Sequence, residues 1–320
     1  MSQASAKQHI PRYPIGVPNG WYAVARSPEL AVGDVKTIAY FDEELVLFRG
    51  ENGAAGLLEA YCDHLGAHLG HGGKISGNSL QCPFHNWEWS DRGICTKIPY
   101  ATAIPPTARI RHYPLTEHSG MIWAWFHKDG REPAYELPGV PKHDAPGWQL
   151  FHSCEWMLNS HTQEIYENGV DYQHFVAVHK FELPSGIVSH YDGHQSRYRF
   201  DTALNPDATE GGREAMRHEG RIIGLGLSFI HIKGDLEVVI CNATTPVSAE
   251  RTHIRFDVFG NTRYPDAAAA AKLPAYAKSM ADVFAEDFEI WEHKKYRSQP
   301  KLCNRDGPII KFREWASQFY

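Results

Sequence analysis

The chain has 320 residues, 42% of them hydrophobic and 22% charged, which is enough apolar material for one large domain or two ordinary ones and too much for a disordered polymer. Its 32 basic residues against 38 acidic ones leave a formal charge of −6, which argues against a general binder of nucleic acid or of anionic membranes. No stretch approaches the roughly 18 apolar residues that span a bilayer, and the opening MSQASAKQHIPRYP lacks the apolar run of a signal peptide, so a cytoplasmic protein without a membrane span is expected.

From Trp21 to about His127 the chain reads as short strands cut by Gly and Pro. Val35 to Phe41 and Glu44 to Phe48 are compact β-type runs, and Met121 to Phe126 is another, rich in aromatics. Between Pro133 and Pro146 lies ELPGVPKHDAP, polar and Pro-rich, which reads as a connector and sets the expected domains at 1–135 and 136–320. Gln163 to Lys180 is then helical in pattern, stopped by Pro184 and Gly186. Three apolar alternating runs follow, Ile222 to Ile232, Leu236 to Thr245 and Thr252 to Phe259, and predict an antiparallel sheet with Leu225, Leu227, Phe229 and Ile240 as inward candidates. Pro274 to about Tyr296 carries apolar residues at helical spacing, and KFREWASQFY closes the chain as an amphipathic segment. The expected class is α+β, an all-β first part followed by helix, sheet and long helix.

Six cysteines are too few for a disulfide scaffold in a chain this long, while nineteen histidines are an excess that points toward metal chemistry. The spacing sharpens that pointer. Cys62-Asp-His64 is followed after seventeen residues by Cys82-Pro-Phe-His85, so each half offers one thiolate and one imidazole. A zinc finger pairs cysteines with cysteines and histidines with histidines. The mixed order suits a two-iron cluster with two cysteines on one iron and two histidines on the other, an exchange that raises the reduction potential. Gly66, Gly70, Gly72 and Gly73 let the first loop fold tightly, Pro83 stiffens the second, and Trp87 and Trp89 supply apolar cover.

The run YCDHLGAHLGHGG…LQCPFHNWEW resembles the Rieske [2Fe–2S] module, which implies Cys62, His64, Cys82 and His85 as cluster ligands; His68 and His71 lie outside the motif and read as loop residues at the cluster rim. More than half the chain follows, and it carries Asn168-x₂-Asp171-x₂-His174-x₄-His179. On one helix the first three of these share a stripe, whereas His179 would point about 140° away from His174 unless the helix ends between them. Two histidines need a carboxylate to complete the facial set that holds ferrous iron, and the late acidic helix offers Asp282, Glu286, Asp287 and Glu289.

Over nearly its whole length the chain resembles the Rieske non-heme iron oxygenases, most of all the 3-ketosteroid 9α-hydroxylase oxygenase and cholesterol 7-desaturase group, through AYCDHLGAHLG, CPFHNWEWSDRGICTKIPYATAIPPTAR and FREWASQFY. The resemblance implies a Rieske domain joined to a helix-grip catalytic domain, with mononuclear Fe(II) as a second cofactor beside the cluster. EDFEIW resembles the D-x-x-I-W segment that supplies the iron carboxylate, which assigns Asp287 beside His174 and His179. It further implies that Asp171 bridges His174 to His85 of a neighbouring subunit in a homotrimer, and that Asn168 sits beside the iron. Electrons would come from NAD(P)H through a separate ferredoxin or flavin-dependent reductase, and O₂ and a small apolar ring compound, steroid-like, would be the substrates of a monooxygenation. An aromatic ring dioxygenase or a demethylase shares these motifs, and a Rieske electron carrier is the non-enzymatic alternative.

Overall fold

The structure, a computed structural model, describes residues 11–203, 215–264 and 267–320. Its first strands are β1 (Gly20–Arg26), β2 (Val35–Tyr40), β3 (Glu43–Arg49) and β4 (Ala55–Glu59). β3 reads EELVLFR, a continuous apolar run, because it is the middle strand of the β2-β3-β4 sheet and is covered on both faces. Val46 and Phe48 turn toward a core shared with Cys62, Cys82 and Trp89, while Leu45 and Leu47 turn toward Tyr22, Phe41 and Ile122. The short strands β5 (Lys74–Ser76), β6 (Ser79–Gln81), β7 (Glu88–Trp89) and β8 (Cys95–Lys97) form a meander; β9 (Leu115–His118) and β10 (Met121–Phe126) return the chain beside β1 in a sheet of order β1-β10-β9.

The second part is built on seven antiparallel strands. β11 (Trp148–Leu158) is followed by α1 (Thr162–Glu167) and α2 (Tyr172–Ala177), then by β12 (Ser185–Asp192), β13 (Gln195–Ala203), β14 (Ala215–Ile223), β15 (Leu227–Lys233), β16 (Glu237–Ser248) and β17 (Arg251–Asn261). The order β11-β17-β16-β15-β14-β13-β12 is a meander closed by β11 at one edge. α3 (Ala267–Ala270), α4 (Leu273–Ala285), α5 (Phe288–His293) and α6 (Ile309–Ala316) complete the chain. The α+β class expected from the sequence is the class found.

Both faces of this sheet are buried. On one, Ile223, Leu227, Phe229, Cys241 and Ala243 pack against Trp21, Trp123 and Trp125 of β1 and β10. On the other, Ile232, Val238, Ile240, Phe256 and Val258 meet α4 through Leu273, Ala277 and Ala281. Arg26 crosses between the two parts, its guanidinium donating to both oxygens of the buried Asp257 at 3.0 and 2.9 Å.

Four expectations are corrected here. Leu227 and Phe229 face β1 and β10, Leu225 packs near α6, and only Ile240 of the inward candidates packs with α4, because a sheet covered on both sides is apolar in both parities. Ile222 to Ile232 is a hairpin rather than one strand; Gly224 adopts φ 56° at its turn, and a Cβ on Gly226 would lie 2.0 Å from the Trp21 carbonyl oxygen. The helix expected from Gln163 to Lys180 is two short helices, interrupted by a 3₁₀ turn at Asn168–Val170 and extended backbone at Asp171. The long helix from Pro274 likewise breaks between α4 and α5, at Glu286 and Asp287.

Candidate metal centres

The cluster motif lies on two loops built to one backbone pattern. After β4, the Cys62 N–H donates to Ala67 O at 2.9 Å and the Gly66 N–H to Cys62 O at 2.9 Å. Between β6 and β7, the Cys82 N–H donates to Trp87 O at 2.8 Å and the Asn86 N–H to Cys82 O at 3.1 Å. Each loop turns through a left-handed residue at the same place, Gly66 at φ 72° and Asn86 at φ 58°. Asn is among the few side chains that enter this region readily, so Asn86 does what Gly66 does in the other loop.

The four side chains converge. Cys62 and Cys82 are buried free thiols, and the rings of His64 and His85 lie 4.8 Å apart. Trp87 stacks on His64 at 4.5 Å with planes 9° apart, covering its face, and donates its indole N–H to Tyr100 Oη at 2.8 Å. Burial, with Cys82 alongside, pushes the Cys62 thiol up to about 11, so a thiolate here needs a cation to compensate it. His85 Nδ1 is buried with no hydrogen-bond partner. Two paired thiols and an orphaned imidazole nitrogen fit a Rieske cluster. His68 accepts the Gly70 N–H at 3.1 Å through Nδ1 and stands 4.4 Å from the His71 ring.

The second centre draws on elements far apart in sequence. α2 ends at Ala177, so His179 falls beyond the helix and turns back toward His174; their rings are 5.1 Å apart. The break between α4 and α5 puts Asp287 at the start of α5, where it is buried. One ligand atom from each of His174, His179 and Asp287 lies within 4.8 Å of the others. His179 Nε2 is 3.3 Å from Asp287 Oδ2. Asn168 Nδ2 donates to Asp287 Oδ2 at 2.8 Å and to His174 Nε2 at 3.0 Å, linking the set.

Backing hydrogen bonds set both tautomers. His174 Nδ1–H donates to the Asp171 backbone carbonyl, which leaves the Nε2 lone pair facing the centre. His179 Nδ1–H donates to Glu286 Oε2 at 2.8 Å, which leaves its Nε2 toward Asp287. Burial lowers the His174 pKa and keeps the ring neutral. For His179 burial also acts downward, but Asp287 and Glu286 outweigh it and raise the pKa. Two imidazoles and a carboxylate on one side are a facial set suited to Fe(II).

Glu286, one of four acidic candidates in the sequence, is therefore the carboxylate behind His179, while its neighbour Asp287 faces the centre. Asp171 reaches His174 through its carbonyl, and no hydrogen bond to its carboxylate is found among the described residues. Both histidines line a cavity of about 140 Å³, walled mainly by Phe, Ile, Met and Val side chains between the helices and the β13–β17 sheet face.

Comparison with known proteins agrees with this architecture. Residues 20–114 match the Rieske [2Fe-2S] domain and residues 124–320 the 3-ketosteroid 9alpha-hydroxylase C-terminal domain. A probable 3-ketosteroid-9-alpha-monooxygenase, oxygenase component, of Rhodococcus rhodochrous is 31% identical, the match covering 100% of this chain and 85% of the relative. Cholesterol 7-desaturase of Caenorhabditis elegans is 32% identical over 95% of this chain and 77% of its own length. Among solved structures, NdmA of Pseudomonas putida CBB5 superposes with a TM-score of 0.73 at 21% identity, covering 93% of this chain and 89% of that one. Dicamba monooxygenase bound to 3,6-dichlorosalicylic acid gives 0.72 at 19% identity, with 94% and 97% covered. These two share the fold. With its cluster loops, its His/His/Asp centre and both domain families in one polypeptide, the chain belongs to the Rieske non-heme iron oxygenases, in the group whose catalytic domain is that of 3-ketosteroid 9α-hydroxylase.

Proposed function

We propose that the chain is the terminal oxygenase of a multicomponent system that monooxygenates an apolar ring substrate of the steroid class. The observation that carries this is the His174–His179–Asp287 set opening into an apolar cavity, in a chain that also carries a Rieske site. The names of the curated relatives, steroid monooxygenase and cholesterol desaturase, support the substrate class. In this reading Cys62 and Cys82 hold one cluster iron and His64 and His85 the other, with the domains dividing near residue 135 in the Pro-rich connector. His174, His179 and Asp287 hold Fe(II), which supplies oxygen activation when electrons from NAD(P)H arrive through a ferredoxin or flavin-dependent reductase.

The chain's own residues do the rest. The Asp171 carbonyl and the Glu286 carboxylate hold the two imidazoles in the required tautomers. Asn168 steadies the Asp287 carboxylate. The apolar walls exclude water around the reacting carbon. The free carboxylate of Asp171 is assigned to His85 of a neighbouring copy. A contact of that kind is heterologous and closes into a ring, here a homotrimer in the cytoplasm. Changing Asp171 to Asn should leave cluster and iron bound yet stop turnover; normal coupling of reduction to product formation would remove the bridging role.

The testing experiment is a single turnover. Chemically reduced, iron-loaded protein meets O₂ and a mixed panel of steroids, aromatic hydrocarbons and methoxyaromatic acids, with products read by mass spectrometry. A steroid gaining one oxygen is the expected result. An aromatic cis-diol or a demethylated acid overturns the substrate class, and no product from an iron-replete, reduced sample counts against the catalytic reading.

A further inference from the structure

Every residue of α1 is buried, although Thr162, Gln163, Glu164 and Glu167 are polar or charged. Two of them have neutral partners: Thr162 Oγ1 donates to Leu225 O at 2.7 Å, and Gln163 Oε1 accepts from the Tyr320 hydroxyl at 3.0 Å. The two carboxylates are each paired with a cation from the last part of the chain. Glu167 accepts from Nε and Nη2 of Arg313, both at 2.7 Å, which ties α1 to α6. Glu164, whose side chain is fully buried, meets Lys294 Nζ through Oε2 at 2.5 Å, and its Oε1 has no hydrogen-bond partner among the described residues.

Lys294 closes α5, the helix that Asp287 opens. Asn168 at the end of α1 is bound to Asp287, and Glu164 is bound to Lys294, so the two short helices are joined at both ends. The joints are about 6 Å apart along α1 and about 10 Å apart along α5. The four residues thus form a closed frame with Asp287 at one corner. The opposite end of α5 is held a second time: the Arg12 guanidinium donates to the Glu292 and Lys294 carbonyls, and the Tyr13 hydroxyl donates to Trp291 O at 3.3 Å. A six-residue helix is too short to be stable alone, so its direction is set by these attachments. Burial acts to lower the Lys294 pKa, but Glu164 and Glu167 outweigh it and raise it, so the lysine stays charged.

A buried ion pair is a poor device for stability alone, because an apolar pair of similar volume is often as stable or more so. Its presence between these two helices therefore needs another reason. We propose that Glu164 and Lys294 are positioning residues for the iron site: their contact sets the angle of α5 against α1 and so aims the Asp287 carboxylate at the point that His174 and His179 face. This rests on the reading of those three residues as the iron ligands and adds to it a control outside the cavity, since neither Glu164 nor Lys294 is among the residues that wall it.

The test is Fe(II) binding by equilibrium dialysis to full-length protein that keeps its cluster and has been stripped of mononuclear iron by a chelator. The dialysis is run well below the melting temperature of every variant, so that loss of fold does not enter the affinity. Replacing the pair by apolar residues, Glu164→Leu with Lys294→Met, should leave the melting temperature and the cluster absorbance at wild-type values. It should weaken Fe(II) binding about tenfold, the lower end of what partners behind metal ligands contribute. Lys294→Arg keeps the charge and should keep most of the affinity. Should the double variant fail to fold, Glu164→Gln, which keeps the volume and removes the charge, carries the same tenfold expectation. A purely structural role gives the opposite pattern, a lower melting temperature with unchanged Fe(II) affinity, and overturns the inference; so does a Lys294→Arg variant that binds as weakly as the apolar pair. Asp287→Ala separates this from the underlying reading. If it binds Fe(II) like wild type, the ligand assignment falls and the inference with it; if it loses Fe(II) while the pair variants bind normally, the ligands stand and the inference alone falls.

Discussion

The two metal centres are made in opposite ways. The cluster site is local: its four residues lie between Cys62 and His85, on two loops repeating one backbone pattern with a left-handed residue at the same place. The iron site is distant in sequence: Asn168 and Asp287, which share a hydrogen bond, are 119 residues apart, and helix breaks rather than turns aim the side chains. A local site is specified by spacing and is sensitive to backbone conformation. A distant one is specified by packing and depends on each side chain's support.

The largest effect should come from the member that only the tertiary structure delivers. Asp287→Ala should remove the mononuclear iron and abolish turnover while the visible absorbance of the cluster persists, because the two centres share no residue. Iron analysis alongside the absorbance spectrum checks this. Loss of both signals together would mean that the centres are not independently built; retained iron would move the ligand role to a neighbouring carboxylate.

A smaller effect is expected one shell outward. Glu286→Gln keeps the size of the side chain but removes the charge that accepts the His179 Nδ1–H. Partners of this kind are worth about 10–100-fold in metal affinity. The variant should bind Fe(II) that much more weakly, with an unchanged cluster spectrum, and should regain activity when iron is supplied in excess. Unaltered affinity would make the 2.8 Å contact incidental.

The same contrast explains what was legible in the sequence. Cys62, His64, Cys82 and His85 could be picked out by spacing because the loops that present them are short, and β3 could be recognised because its apolar run is continuous. The His174 and His179 pair was legible only as a condition, that the helix must end between them, and it ends at Ala177. Asp287 and Glu286 are adjacent, acidic and on one helical pattern, so periodicity does not separate them; the D-x-x-I-W resemblance picks Asp287, and the structure turns it to the centre and Glu286 to His179. Which parity of the sheet walls the cavity was not legible. Leu227 and Phe229 are as apolar as Ile230 and Ile232, and only the docking of Trp21, Trp123 and Trp125 on one face tells the two sets apart.

The smallest expected effect sharpens the local half of the comparison. Gly66 and Asn86 hold corresponding left-handed positions, and a Cβ added at Gly66 would meet nothing within 4 Å. Gly66→Ala therefore introduces backbone strain without a clash, about 1–2 kcal/mol, and should lower the melting temperature by a few degrees with the cluster still bound. Asn86→Gly already has a residue tolerant of that conformation to replace, so it should change stability by a few tenths of a kcal/mol. Thermal melts followed at the cluster absorbance compare the two directly. Equal losses would show that the loops are held by their side chains; a loss at Gly66 alone places the control in the shared backbone turn, which is what lets two short loops define four ligands without help from the rest of the fold.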